Sequence, residues 1–272
     1  QRVFINPEVC EGCGDCGVQS NCVSVLPLET PLGRKRQIDQ SACNKDFSCV
    51  KGFCPSFVTV TGGTPKKKTT TLPRFADLPL PEMPNIQGTH NILVTGVGGT
   101  GVVTIGAVMA MAAHLDGKAA SMMEMAGLAQ KGGAVLIHCR VAERPVDISA
   151  VRIWVGECDA LLGGELVVSA QRDTLALMEA TRTKAVVNSH EMITGEFTRD
   201  VDFKIPGADL QLALGGRTDA KRFFDATRLA EDRLGDTVYA NMVVFGAAFQ
   251  AGLIPIGLDA IERAIELNGA KV

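Results

Sequence analysis

The chain has 272 residues, enough for two domains with buried cores, and its 46% hydrophobic and 21% charged residues are ordinary for a globular protein. Its longest apolar run, Val102 to Leu115, is too short to cross a bilayer, and no signal peptide is evident, so we expect a cytoplasmic protein without a membrane role. Residues 1–75 carry a balance of +4 within a net charge of -3, but only 5% of residues are aromatic and no basic face is visible, which disfavours nucleic acid as a partner.

Seven of the nine cysteines lie in the first 54 residues, in an informative spacing. Three follow Cys10-x2-Cys13-x2-Cys16, and Cys54 is followed at once by Pro55. This is the ligand pattern of a bacterial-type [4Fe-4S] site, because one loop presents three thiolates to three irons while the fourth comes from a separate segment. The glycines between the first three cysteines fit such a loop, since glycine reaches positive φ. The pattern therefore predicts one cluster.

Cys22, Cys43 and Cys49 remain after this assignment. In two-cluster ferredoxins the fourth cysteine of each run ligates the other cluster, which is why Cys54 joins the first set. A second cluster would then have three thiolates, with a fourth ligand such as Asp46 or a solvent species, and the sequence leaves it open. Two alternatives are a zinc site, which seldom uses a third cysteine at this spacing, and a disulfide framework, which needs an oxidising compartment.

The first domain is predicted to span residues 1–62, with strands in 2–9 and 57–61 and a turn-rich insertion over 26–40. Residues 63–88 are predicted to be an extended linker, because five prolines in 65–84 prevent a helix or an interior strand. A second domain is predicted over 89–272. Because the chain begins with Gln1 rather than Met, we expect it to be a piece of a longer polypeptide.

The second domain opens with a pattern typical of a Rossmann-type βαβ unit. An apolar strand at 91–95 leads into glycines at 96, 98, 99 and 101, and an apolar helix is predicted over Val102 to Leu115. Such a turn lets amides at a helix N-terminus approach an anion. Three interpretations stay open: the phosphate of some cofactor, a nicotinamide dinucleotide, for which Glu124 has the right sequence distance, or close packing of strand and helix with no ligand.

The rest of the chain is predicted to alternate strands and helices without an internal repeat of 20 to 50 residues. Strands are expected at 134–141, 150–155, 160–162 and 184–189. Helices are expected over 165–178, 241–251 and 258–267, and residues 220–234 also follow helical spacing. The predicted fold class is therefore α/β, with a small α+β ferredoxin-like iron–sulfur module followed by a Rossmann-like α/β domain.

Four motifs together resemble one family: the segments Cys10 to Cys16, Cys49 to Pro55, Gly96 to Gly101, and Gly127 to Gly133. In this order they look like the fused indolepyruvate ferredoxin oxidoreductases, of the thiamine-dependent 2-oxoacid:ferredoxin oxidoreductase superfamily. The likeness covers essentially the whole chain, as a ferredoxin-like module plus the domain that corresponds to the gamma subunit of multi-subunit relatives.

The resemblance implies oxidative decarboxylation of a 2-oxo acid to an acyl-CoA, with ferredoxin as electron acceptor. It implies thiamine diphosphate with Mg, coenzyme A, and a homodimer of the complete enzyme. The chain lacks the GDG and Asn-Asn thiamine signature, so thiamine would lie on other segments of the same enzyme. The cysteines would be an electron relay, and an anion-facing turn would be formed by Gly96, Gly98, Gly99, Thr100 and Gly101, with Gln130 and Lys131 beside it.

Two other functions are compatible with the sequence. An NAD-linked iron–sulfur reductase would need the glycine turn to bind a dinucleotide, with a carboxylate at a strand end for the ribose. A zinc-stapled interaction module would need zinc in place of iron.

Overall fold

The computed structural model describes residues 1–22, 24–63, 78–127, 133–192, 200 and 202–269. These residues form two units: those within 1–69 and 193–205 make the first, and those within 70–192 and 206–272 the second. Along this described part of the chain, no helix has the length and apolar character needed to cross a membrane.

The first unit consists of two short antiparallel strand pairs and two helical turns. Its strands are β1 (Arg2–Ile5), β2 (Val25–Thr30), β3 (Gly33–Ile38) and β4 (Phe57–Val60). Helix α1 (Asp15–Ser20) follows the first cysteine loop, and a 3-10 helix (Ser48–Val50) follows the second. Strand β1 pairs with β4, and β2 pairs with β3.

The prediction of a turn-rich insertion over 26–40 is wrong, because these residues form the β2–β3 hairpin. Thr30 pairs with Gly33 around a two-residue turn, and the Thr30 hydroxyl donates to the Gly33 carbonyl at 2.6 Å. Gly33 has a φ of 96°, which glycine accepts without strain. Pro27 is tolerated within β2 because this strand has only one neighbour in its two-stranded sheet.

This unit also contains an internal repeat that the sequence analysis did not anticipate. Each half runs from a strand through a cysteine loop and a helical turn to a second strand. Cys43 and Cys49 each lie 33 positions after their counterparts Cys10 and Cys16. The repeat escapes detection in the sequence because almost nothing except these cysteines recurs, whereas the backbone pattern does.

The second unit is built on a six-stranded mixed sheet. Its strands are β5 (Thr89–Val97), β6 (Ala119–Ala126), β7 (Ala134–Ala142), β8 (Ala160–Gly163), β9 (Lys184–Asn188) and β10 (Ala220–Phe224). Its helices are α2 (Val102–Leu115), α3 (Leu166–Ser169), α4 (Arg172–Leu177), α5 (Gly207–Gly215), α6 (Ala226–Leu234), α7 (Ala240–Gln250) and α8 (Leu258–Asn268).

The strand order of this sheet is β10-β9-β8-β5-β7-β6. Strands β5, β8, β9 and β10 are parallel, while β7 is antiparallel to both of its neighbours. Helices cover both faces, because alternate residues of a strand point to opposite sides. Ile92 and Val94 of β5 pack in the cluster that contains α2, α7 and α8, whereas Leu93 packs with α3 and α5. The predicted fold class is confirmed.

Three secondary-structure predictions for this unit are wrong. Residues 150–155 form no strand. The helix predicted over 165–178 is two short helices, because Gln171 has extended φ and ψ angles, and the Thr174 hydroxyl donates to the Val168 carbonyl across the break. Residues 220–224 form β10, and only then does Asp225 begin α6 by accepting from the Arg228 amide at 2.8 Å.

Candidate functional site

The first cysteine loop carries Cys10, Cys13 and Cys16 and ends in α1. Gly12 and Gly14 have φ values of 75° and 81°, and Gly14 is the N-cap of the helix. A Cβ on Gly12 would overlap the Arg34 carbonyl oxygen, so only glycine fits there. The Gly12 amide donates to Sγ of Cys10 at 3.4 Å. Amide donors to cysteine sulfur are among the contacts that tune iron–sulfur clusters.

The three thiols of this loop lie close enough to influence one another. Burial raises the pKa of the Cys16 thiol to about 11, the positive charge of Arg36 opposes this increase, and the neighbouring Cys10 and Cys13 add to it. Arg36 is itself only 2% exposed. A thiol in this environment gives up its proton readily only when a bound cation replaces it.

Of the remaining four cysteines in the first unit, Cys49 has Cys22 and Cys43 as electrostatic neighbours. Burial raises the pKa of the Cys49 thiol, and the nearby Cys22, Cys43 and Asp46 raise it further. Cys54 Sγ lies 3.0 Å from the Ser56 hydroxyl. All nine cysteines of the chain are free thiols.

Within the described ranges, no group of three or more His, Cys, Asp or Glu side chains could hold a single metal ion. The ligands of a cubane bind separate corner irons, so they stand farther apart than donors that converge on one ion. The loop glycines, the Gly12 amide that donates to Cys10 Sγ, and the two predicted cysteine sets are the features that fit a cluster.

The predicted glycine turn lies between β5 and α2, as expected. Gly99 and Gly101 have φ values of 88° and 89°. Gly96 serves a different purpose, because a Cβ there would overlap Cγ2 of Val102 at the start of the helix. Glycine at position 96 therefore allows the strand and helix to pack closely, while the other two shape the turn.

Backbone and side-chain hydrogen bonds hold this turn from three directions. The Gly98 amide donates to the Gly133 carbonyl at 2.8 Å, and the Thr100 hydroxyl donates to the Val97 carbonyl at 2.7 Å. From α7, Nδ2 of the buried Asn241 donates to the Thr100 carbonyl at 2.6 Å. The turn is thus fixed before any ligand arrives, and the partial positive charge at the start of α2 favours an anion.

Other polar groups collect at the carboxyl ends of the parallel strands, where ligands of open α/β sheets bind. Asn188, the last residue of β9, donates to the Gly164 carbonyl at 3.1 Å and accepts from the Ala226 amide at 3.0 Å. His190 Nδ1 lies 3.4 Å from a carboxylate oxygen of Asp225. These residues could not be predicted from the sequence, because only the strand order brings the ends of β8, β9 and β10 together.

Glu165 is the most buried carboxylate at this edge, with only 3% of its surface exposed. Burial raises its pKa, while the amides of Val167 and Val168, which donate to it at 2.8 and 2.7 Å, act in the opposite direction. Glu165 directly follows Gly163 and Gly164 at the predicted start of a helix. This position could have indicated from the sequence that Glu165 lies at the candidate site.

Two of the predicted site residues, Gln130 and Lys131, lie outside the described residues. Glu124 lies on β6, and β7 separates that strand from β5. In a dinucleotide site the ribose-binding acid lies beside the glycine turn, at the end of the adjacent parallel strand. The strand order therefore gives no support to Glu124 as a ribose ligand.

The second unit has recognisable relatives. Residues 91–271 match the family described as pyruvate ferredoxin/flavodoxin oxidoreductase. The indolepyruvate oxidoreductase subunit IorB of Archaeoglobus fulgidus is 30% identical over 176 residues, which are 64% of this chain and 83% of that protein. The subunit of the same name from Thermococcus kodakarensis is 29% identical over 185 residues, 66% of this chain and 86% of that protein.

Among solved structures, the gamma subunit of the keto/oxoacid ferredoxin oxidoreductase from Geobacter sulfurreducens aligns with 22% identity and a TM-score of 0.44 over 65% of this chain and 84% of its own. The cysteine-rich segment precedes the matched region 91–271, so its chemistry is inferred from its own residues. Since that region covers more than half of the chain, the chain belongs to the pyruvate ferredoxin/flavodoxin oxidoreductase family.

Proposed function

We propose that this chain is the iron–sulfur relay and gamma-type portion of a thiamine-dependent 2-oxoacid:ferredoxin oxidoreductase. Its substrate would be indolepyruvate or another aryl 2-oxo acid, oxidatively decarboxylated to an acyl-CoA. The observation that carries the proposal is the presence, in one chain, of seven cysteines between the short strands of the first unit and a domain of this oxidoreductase family.

In this proposal the first unit moves electrons. A [4Fe-4S] cluster, when bound, accepts and returns one electron at a time. Cys10, Cys13, Cys16 and Cys54 would hold the first cluster. The Gly12 amide and the buried Arg36 stabilise negative charge on the thiolates, which favours binding of an anionic cluster.

The second unit would orient an anionic group at the turn from Gly98 to Gly101. A phosphate of coenzyme A is the chemical match, since α2 directs its N-terminus to this edge and Asn241 keeps the turn in place. Thiamine diphosphate and Mg would be held by other segments of the same enzyme, acting as a homodimer with ferredoxin as the electron acceptor.

The first test is the iron, sulfide and zinc content of the chain purified without oxygen, with EPR after dithionite reduction. We expect at least about four irons per chain and a reduced-cluster signal. C16S should lose the first cluster, whereas C158S should keep it, since Cys158 lies in the second unit and donates to the Ala160 carbonyl as a serine also can. Zinc without iron would overturn the proposal and favour an interaction module.

The second test is turnover of the complete enzyme with coenzyme A and either ferredoxin or NAD as acceptor. We expect ferredoxin reduction with a higher kcat/KM for indolepyruvate than for pyruvate or 2-oxoglutarate, and a strong loss in C16S. Reduction of NAD in place of ferredoxin would favour the NAD-linked reductase instead. Equal kcat/KM values for all three acids would remove the preference for aryl substrates.

A further inference from the structure

The two cysteine loops of the first unit have positive φ at corresponding positions. In the first loop, positive φ occurs at Gly12 and Gly14, the residues before and after Cys13. In the second loop it occurs at Lys45 and Phe47, the residues before and after Asp46, with φ values of 62° and 58°. Each of these positions lies 33 residues after its counterpart.

The shared conformation is unusual because the second loop adopts it without glycine. Residues other than glycine seldom take positive φ, and a bulky aromatic residue such as Phe47 is a clear exception. Among the described residues, Asn21 is the only other non-glycine residue with positive φ. A backbone held in this state against its local preference points to a geometric requirement of the loop.

The helical turns that follow the loops complete the correspondence. Gly14 is the N-cap of α1, and Phe47 is the N-cap of the 3-10 helix that begins at Ser48. Within this frame Cys43 takes the place of Cys10, and Cys49 takes the place of Cys16. Asp46 takes the place of the middle ligand, Cys13, and both side chains are exposed.

The surroundings of Cys49 supply the rest of a ligand set. Its thiol lies within electrostatic range of Cys22, Cys43 and Asp46. Cys22 follows the first loop, so it corresponds to the fourth cysteine that crosses to the other cluster. Three thiols and one carboxylate are therefore neighbours here: Cys43, Asp46 and Cys49 belong to the second loop, and Cys22 comes from the segment before β2.

We propose that Asp46 is the fourth ligand of a second [4Fe-4S] cluster, whose other ligands are Cys22, Cys43 and Cys49. This inference rests on the proposed function and extends it from one cluster to two. It also assigns different properties to the two sites, because a carboxylate oxygen is a harder and weaker ligand for cluster iron than a thiolate. The corner iron at Asp46 is then the most easily removed of the eight.

Asp46 also has a structural role, which any test must separate from iron binding. Its Oδ1 accepts from the Ser48 amide at 3.0 Å and from the Ser48 hydroxyl at 2.9 Å, which links it to the first residue of the 3-10 helix. Its Oδ2 has only a long contact of 3.4 Å, with Nδ2 of Asn44. Oδ2 is thus the oxygen that would bind iron while Oδ1 keeps its hydrogen bonds to Ser48.

Because the iron bound by Asp46 should be lost easily, its oxidative removal can be measured. With ferricyanide as the oxidant, the second cluster would change as [4Fe-4S]2+ → [3Fe-4S]+ + Fe2+ + e-, the electron reducing one ferricyanide to ferrocyanide. The released iron would be taken up by EDTA. An all-cysteine cluster resists this loss, so the first cluster is an internal reference.

The experiment uses the full chain, purified without oxygen, and compares the wild type with D46C, D46N and the control D15N. D46C places a thiolate at the middle position, and D46N keeps an oxygen that can accept from Ser48. Asp15 is the first residue of α1, next to Cys16. Iron and sulfide are counted, and EPR spectra are recorded after dithionite and after one equivalent of ferricyanide with EDTA.

We expect about eight irons in the wild type, about seven after ferricyanide, and a [3Fe-4S] signal at that stage. D46C should keep about eight irons and show no such signal. D46N should already contain the [3Fe-4S] form when isolated, and D15N should behave like the wild type. The dithionite signal of the first cluster reports, in every variant, that the unit is folded.

Two results would overturn the inference. One is a ferricyanide response of D46C equal to that of the wild type, and the other is an unchanged iron count and EPR spectrum in D46N. About four irons in the wild type would also reject the second cluster, but it would leave the proposed relay intact. Absence of iron altogether would instead remove the proposed function on which the inference rests.

Discussion

Asn241 on α7 donates from Nδ2 to the carbonyl oxygen of Thr100 at 2.6 Å, and the same nitrogen lies 3.1 Å from the Thr100 hydroxyl. The two residues are 141 positions apart in the sequence. This contact joins the glycine turn to a helix from the far end of the sequence, so the turn is held by tertiary structure as well as by its glycines.

We expect N241A to destabilise the second unit by about 0.5–1.5 kcal/mol, because it removes the part-buried hydrogen bond to the Thr100 carbonyl. Chemical unfolding followed by circular dichroism measures the loss. The matched control is N268A, since Asn268 is an exposed residue at the end of α8. If both variants unfold at the same denaturant concentration, the hydrogen bond to Thr100 does not contribute to stability.

Gly96 gives a second prediction, based on packing. A Cβ at this position would overlap Cγ2 of Val102, so G96A should cost about 1–3 kcal/mol of unfolding free energy through overpacking. Shortening the partner in V102A makes room, so the double variant should be more stable than the sum of the two single losses predicts. Strictly additive losses in this double-mutant cycle would show that the two positions are not in contact.

Much of the secondary structure of the second unit could be predicted, because the sequence patterns that indicate it lie within single helices and strands. The helix Val102–Leu115 has its predicted limits, since a glycine turn precedes it and its residues are almost all apolar. Strand Ala220–Phe224 was not predicted, because five residues are too few to separate a strand period from a helical one. Its identity depends on pairing with β9, which is a tertiary contact.

Some features of the candidate sites could likewise be predicted from local sequence, and others could not. The cysteine spacing predicts the first ligand set directly, because consecutive ligands share one loop. The resemblance of the second loop to the first could not be predicted, since Lys45 and Phe47 replace the glycines that would have indicated positive φ. Glu165, Asn188 and His190 come together only through the order of the parallel strands.

His138 gives a prediction about pH. This side chain is 1% exposed, and its Nδ1 accepts from the Ile153 amide at 3.1 Å. Burial lowers its pKa, and the charge of Arg152 lowers it further. The unfolded chain therefore binds a proton at His138 more readily, so stability from this group is complete above the usual histidine value of 6.5 and is lost as the pH falls below it.

The matching experiment compares the unfolding free energies of wild type and H138N at about pH 7.5 and about pH 5. The asparagine of this variant does not titrate and can still accept from the Ile153 amide, so the wild type should lose more stability on acidification than the variant. H114N is the control, because His114 is exposed on α2. An equal acid response of wild type and H138N would show that His138 does not couple folding to protonation.

Arg36 yields a prediction about electron transfer that depends on the proposed cluster. Its positive charge lies beside Cys16, where it opposes the effect of burial on the thiol pKa. The reduced cluster is more negative than the oxidised one, so this charge should stabilise the reduced state and raise the reduction potential. R36Q should lower the potential of the first cluster, with roughly 40 mV for each kcal/mol of lost interaction.

The potential is measured by an EPR-monitored titration with dithionite on the anaerobic chain. R36K retains the charge and should restore most of the wild-type potential, although it cannot reproduce the bond from Arg36 Nη1 to the Lys35 carbonyl at 3.1 Å. R2Q is the control in the same unit, since Arg2 donates to Gln40 rather than lying beside the thiols. If R36K and R36Q lower the potential equally, packing and hydrogen bonding at position 36, and not its charge, determine the potential of the cluster.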